Sequence, residues 1–238
     1  MRRLLAVQGR RKAQAGVSLV ELLVAMIIMG VVTSMLVGTW LQLNRSAEFA
    51  RADNTAGATG RDALDRISAE IRAAQPLTTA STNPFIFTMS APFVNDANDC
   101  VFYSAYNNAL TASQSGTDGK AQLLPTAIWL DTSGTTPQKK LYWERDTNKD
   151  GVFDSGDKIM LLASNVVNTS ASVNKPIFTY FFCDKTGAWT QSTTLTTTTV
   201  ANLVAVQIEL VIDSNLSYKP SYVDILSTVR PRNVGNTN

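Results

Sequence analysis

Histidine is absent from all 238 residues. That excludes Ser-His-Asp and Cys-His catalysis and every His-containing metal site. Carboxylate, lysine and tyrosine chemistry stay open, but the expectation is a chain that is not an enzyme. Cysteine occurs twice, at Cys100 and Cys183, both in apolar, strand-like surroundings. If this part of the chain is exported, one disulfide is the natural pairing. Closing so long a loop would contribute on the order of 4 kcal/mol in the chain-entropy model. Two buried free thiols are the other reading, since cysteine is often buried without reacting.

Acids are missing from the first 16 residues, where Arg2, Arg3, Arg10, Arg11 and Lys12 lie. The whole chain holds 21 Lys+Arg against 19 Asp+Glu, so without those five bases the remainder is net acidic. It has no global basic excess and no basic and aromatic stripe, and therefore no clear nucleic-acid site. The leader's charge reads instead as a topology signal holding this end in the cytoplasm.

Charge is nearly missing from residues 17–43, VSLVELLVAMIIMGVVTSMLVGTWLQL, where Glu21 is the single charged residue. This run is long enough to span a bilayer. A conventional secretory signal places its small-residue cleavage site after the apolar stretch. Here the pair Ala15-Gly16 comes before it, so a cut between Gly16 and Val17 would leave the apolar helix on the mature chain. A carboxylate inside such a span costs roughly 2.5–3.5 kcal/mol near the membrane centre, less near an end, and marks a functional position. After the cut, Glu21 would be the fifth residue, placed to pair with a free α-amino group on its own or a neighbouring chain. Gly30 and Gly38 either permit local melting of the helix or let neighbouring helices approach closely.

The stretch Gly16-Val17-Ser18-Leu19-Val20-Glu21-Leu22-Leu23-Val24-Ala25 resembles the class III signal and helix start of type IV pilins. The resemblance implies cleavage after Gly16 by a membrane prepilin peptidase, N-methylation of Val17, and a role for Glu21 in assembly. Val17 stands where phenylalanine is more usual in that family. The tail, from Val223 to Asn233, resembles the last strand and Arg-Asn ending of PilW-type minor pilins and related pseudopilins.

The helical pattern continues beyond Leu43 but turns amphipathic. Leu64, Ile67 and Ile71 recur at helical spacing, with Arg61, Asp62, Asp65, Arg66, Glu70 and Arg72 between them. Pro76 is a stop signal, and Gly57 and Gly60 are places where the helix would bend. Strands are expected at 85–89, 100–106, 127–130, 140–144, 158–163, 177–183, 203–212 and 222–229. Polar loops separate them, including the threonine run 193–199. The expected fold is therefore α+β: a long N-terminal helix packed on a mainly antiparallel β-sheet head, a pilin-like arrangement. The expected organisation is a cleaved leader (1–16), a transmembrane or filament-core helix (17–43), an amphipathic continuation (44–76) and an extracytoplasmic head (77–238).

Residues 146–157, DTNKDGVFDSGD, carry the other sharp signal. Calcium takes six to eight oxygen ligands in flexible geometry. A twelve-residue loop would supply them from Asp146, Asn148, Asp150, Asp154 and Asp157 and from the backbone carbonyl of Val152. Gly151 sits at the sharp turn, and Phe153 would point inward as an apolar anchor. The loop resembles those of EF-hand and dockerin proteins. It departs from them at Asp157, where a longer glutamate is usual, and in its strand-like rather than helical flanks. An acidic Asx-rich turn is the plainer alternative.

These readings converge on a minor pilin helping to initiate or cap type IV pilus assembly. Its expected partners are prepilin peptidase, other minor pilins, the major pilin and the bacterial inner membrane. The alternatives are a pseudopilin of a type II secretion system and a calcium-dependent anchored adhesin.

Overall fold

The computed structural model describes residues 18–76, 84–86, 95–105, 123–148, 152–214 and 222–231. The chain divides into two units, residues 1–48 and 49–238. One helix, α1 (Leu19–Arg72), runs through the end of the first and into the second.

In the first unit every described residue is exposed, and the helix is long and apolar enough to cross a membrane. Three of its hydroxyls find acceptors inside the helix. Thr33 Oγ1 donates to the Met29 carbonyl at 2.7 Å, Ser34 Oγ to Val31 at 2.8 Å and Thr39 Oγ1 to Met35 at 2.9 Å. Such back-bonding removes the unmet polar groups that hydrocarbon would penalise.

In the second unit α1 becomes one-sided. Ala56, Gly57, Gly60, Ala63, Leu64, Ile67, Ser68, Glu70 and Ile71 are buried, a spacing of three to four that forms one helical face. Among the described residues that face lies on an eight-stranded sheet in which every pairing is antiparallel. The strands are β1 (Cys100–Ser104), β2 (Leu124–Asp131), β3 (Lys139–Arg145), β4 (Lys158–Val166), β5 (Phe178–Cys183), β6 (Trp189–Ser192), β7 (Leu203–Asp213) and β8 (Tyr222–Val229).

β7 is the hub. Ile208 pairs with both Phe178 and Ser227, and Ile212 with both Val166 and Val223. β8 therefore flanks one side of β7, while β5 and then β4 share the other. Period-two alternation turns Val223, Ile225 and Ser227 inward and leaves Tyr222, Asp224, Leu226 and Thr228 exposed. A Cβ on Gly60 would lie 2.4 Å from Ile225 Cδ1 and 3.1 Å from Ile212 Cδ1, and one on Gly57 3.9 Å from Val223. The residues expected to bend the helix instead let it approach β7 and β8.

The helix ends at Arg72, short of Pro76, because the chain is captured by β1. Gln75 N–H donates to the Tyr103 carbonyl at 3.0 Å, and Ala74 bridges Ser104. The same edge of β1, the one turned away from β2, takes residues 84–86, with Ile86 N–H donating to Val101 and Tyr103 N–H to Pro84. Of the strand expected at 85–89, Phe85 forms an isolated bridge to Phe102, and residues 87–89 lie outside the described residues. β6 was not expected at all. Trp189, Thr190 and Gln191 are exposed, so WTQS has no inward face to produce alternation.

Candidate functional site

Three regions carry the candidate residues. At the N-terminus, Gly16 and Val17 lie outside the described residues. Glu21 occupies the first turn of α1, where a carboxylate is favoured by the unpaired N–H groups and helix dipole. Its side chain is exposed among exposed apolar neighbours, Leu19 at 80% and Leu22 at 53%.

The acidic loop leaves β3 directly. Asp146 is 1% exposed, and its N–H extends the β2–β3 ladder to the Pro125 carbonyl at 3.1 Å. Asp157 draws the loop together: one carboxylate oxygen accepts from Thr147 N–H at 2.9 Å and the other from Asp154 N–H at 3.1 Å. Asp154 accepts from Gly156 N–H at 2.7 Å in an Asx turn. Phe153 points inward as expected, packing with Tyr103 and Trp129 on a small cluster of Ile86, Val101 and Ala127.

Asn148 and Val152 are exposed on either side of Asp150 and Gly151, which lie outside the described residues. Among the described residues no three acidic side chains converge to hold a metal. Glu144, absent from the expected ligand set, belongs to the same neighbourhood. Burial raises its pKa and the charges of Asp157 and Asp154 add to the rise, while the Trp129 indole N–H, at 2.9 Å, works against it.

The expected pairing of Cys100 with Cys183 is not formed, and both thiols are free. Alternation along β5 buries Phe178, Tyr180 and Phe182 and turns Cys183 to the opposite face, where it is half-buried. Cys100 is fully buried and hydrogen-bonded to Tyr180, on the inward set of the same strand; burial pushes its thiol up to about 12. The two thiols therefore address different faces of the sheet.

A third site was not legible as one. Glu70, read among the charges of an amphipathic helix, has 0% exposure. Arg145 Nη2 donates to its two oxygens at 3.1 and 2.8 Å, Arg66 Nη2 lies 3.1 Å away, and Ser104 Oγ donates at 2.6 Å. Arg145 Nε also donates to Thr126 Oγ1 at 3.3 Å. The guanidinium carbons of Arg66 and Arg145 stand 5.1 and 4.8 Å from the Trp143 ring centre, within cation–π range. Burial lowers the pKa of Arg145 and the charge of Glu70 opposes that. This network fastens α1 to β1, β2 and β3, one residue from the start of the acidic loop. The pattern Arg66-x-x-x-Glu70 was the available signal, but its burial depends on what β3 brings to meet it.

Comparison with known proteins places one motif on the chain. Residues 11–37 match the prokaryotic N-terminal methylation motif, which is typical of type IV pilin-like proteins and supports a pilin- or pseudopilin-like role. No curated protein matches the chain. The motif implies processing by prepilin peptidase and assembly with other pilins, and together with the apolar helix it supports membrane anchoring.

Proposed function

We propose that the chain is a minor pilin, a structural subunit that helps initiate or cap a type IV pilus after prepilin peptidase cuts between Gly16 and Val17. The observation that carries this reading is the methylation motif over residues 11–37, set on an apolar helix that continues into the α+β head. Before assembly the protein is a single-pass inner-membrane protein with its leader in the cytoplasm and its head outside. It catalyses nothing; the covalent chemistry belongs to the peptidase, for which this chain is substrate. Glu21 pairs with a free α-amino group in the assembled bundle and relieves two charges in a low-dielectric setting.

The loop from Asp146 to Asp157 takes calcium in this reading, as a clamp between β3 and β4 rather than a sensor. Support comes from oxygen at each ligand position of the twelve-residue pattern, Asp146, Asn148, Asp150, the Val152 carbonyl, Asp154 and Asp157.

The deciding experiment counts surface filaments by electron microscopy in a deletion strain. Filaments lost on deletion, restored by the wild-type chain and not by Glu21→Ala, establish the assembly role. Normal filaments with defective protein secretion point to a type II secretion pseudopilin. Normal filaments with normal secretion overturn both.

A further inference from the structure

Two strands on opposite sides of β7 end the sheet and run in opposite directions. The lateral order is β8, β7, β5, β6, each antiparallel to the next, so β6 runs against β8. Among the described residues β8 pairs with β7 alone and β6 with β5 alone. A strand that ends a sheet presents N–H and C=O groups that template a further strand.

Which residues present them follows from the ladders. Glu209 N–H donates to the Ile177 carbonyl at 2.9 Å and Val211 N–H to Asn168 Oδ1 at 2.9 Å, so the odd-numbered residues in this stretch of β7 turn their backbone away from β8. The even ones, Val206, Ile208, Leu210 and Ile212, face β8 and meet Val229, Ser227, Ile225 and Val223. That leaves the backbone of Tyr222, Asp224, Leu226 and Thr228 on the outer edge. On β6, Asp184 N–H donates to the Ala188 carbonyl at 3.1 Å. Alternation from there turns Thr190 and Ser192 to β5, and Trp189 and Gln191 to the outer edge. Trp189 and Gln191 stand beside Cys183 and Phe181, on the sheet face away from α1. The side chains of Tyr222, Asp224, Leu226 and Thr228 take that same face.

The two edges therefore match in direction and in the face that their edge-turned residues occupy. Charge guards neither of them. Trp189 and Gln191 are neutral, and Asp224 is held by Lys175, which also binds Glu209 on β7. Trp189 and Leu226 are 64% and 56% exposed.

We propose that β6 of one copy adds to the outer edge of β8 of a second copy, with Trp189 opposite Leu226 and Gln191 opposite Asp224. This register brings two exposed apolar side chains to about 5 Å and forms about four backbone hydrogen bonds. The α1 segments of the two heads, residues 49–72, stay on one face of the joined sheet. A second β8 on the same edge would set those segments end for end, whereas β6 turns them by the sheet twist without reversing them. The preference for β6 over a second β8 rests on the proposed anchoring of both copies in one bilayer. The contact is heterologous and leaves one β6 edge and one β8 edge open on the pair.

The test uses the full chain in bilayer nanodiscs, with Cys183→Ser throughout; Cys100 is fully buried. Copies carrying Gln191→Cys are mixed with copies carrying Asp224→Cys and oxidised. Facing residues in such a ladder have Cα atoms about 5.5 Å apart, within disulfide reach. The mixture is expected to give a cross-linked dimer that neither variant gives alone. Adding Leu226→Lys to the Asp224→Cys copies should cut its yield about fivefold or more, since an edge lysine blocks strand addition. In the unsubstituted chain, amide exchange at Leu226 and Thr228 should slow about tenfold between discs holding one copy and discs holding two. Absence of the mixed cross-link overturns the proposal, and so does exchange that does not change with copy number. A dimer from Leu226→Cys copies alone would place β8 on β8 and overturn it as well. A chain that stays out of the discs counts against the anchoring reading instead, and the same mixture in solution then decides the pairing.

Discussion

Replacing Glu70 by glutamine removes a buried negative charge from a network fastening the helix to three strands. Glu70 takes four polar contacts of 3.1 Å or less on two oxygens, from Arg145 twice, Arg66 once and Ser104 once. Glutamine keeps one acceptor oxygen and adds an NH₂ facing guanidinium donors. It takes the Glu70 charge away from Arg145, a buried cation whose side chain is only 7% exposed. Removing one partner of a buried pair costs about 3–5 kcal/mol. The remaining oxygen recovers part of that, so the expected loss is about 3 kcal/mol. For a unit spanning Phe49–Asn238, this lowers the melting temperature by about 6–12 °C. The assay is thermal and urea unfolding of the full chain in detergent, followed by tryptophan fluorescence, because Trp143 stands beside both arginines. A second variant, Glu70→Leu with Arg145→Met, removes both charges together and is expected to recover at least half of the loss, since a buried pair replaced by apolar groups is often neutral. Raising salt should change the Glu70→Gln penalty little, because the site is shielded from solvent ions. A Glu70→Gln loss below about 0.5 kcal/mol, the range of ordinary surface substitutions, would refute the reasoning. A double variant as unstable as the sum of its singles would do the same.

Three further outcomes are expected. Glu21→Ala should abolish filament assembly while leaving head unfolding unchanged within about 0.5 kcal/mol, since its side chain is exposed; a destabilised head would show that Glu21 acts through folding. Calcium at about a hundred times its dissociation constant should stabilise the head by about 2.7 kcal/mol. Chelator should reverse this and Asp150→Ala remove it, and a melting curve indifferent to calcium would leave the acidic turn as the correct reading. Under native conditions Cys183 should label with a maleimide while Cys100, fully buried with its thiol held up at about 12, should not. Denaturation should release a second equivalent without reductant, and a count of zero would restore the disulfide.

Some of this was legible in the sequence because the physics is local. Residues 17–43 need only their own composition to identify an apolar helix, and the order of basic leader, Gly16, apolar run and Glu21 is a linear pattern. Strand β7 was legible at 203–212 from its partial alternation around Gln207 and Glu209, because one face meets the helix and the other is turned away from it. The acidic loop gave away Phe153 as its inward anchor through spacing alone. The sequence left open whether the cysteines pair, because pairing depends on which face of a sheet each residue takes, and Cys183 faces away from Tyr180 and the buried Cys100. Gly57 and Gly60 were read as flexible points, a property of the isolated helix. Only the approach of Ile212 and Ile225 shows them as the small residues that a close contact requires.

The sequence by itself determined the anchor, the amphipathic turn of the helix and the antiparallel β character of the head, because propensity and hydrophobic period act over a few residues. The tertiary structure decided that Glu70 is a buried anion held by Arg145, seventy-five positions away. It also decided that the two thiols point apart. Charge and burial are properties of what surrounds a side chain, and those surroundings are supplied by strands distant in sequence.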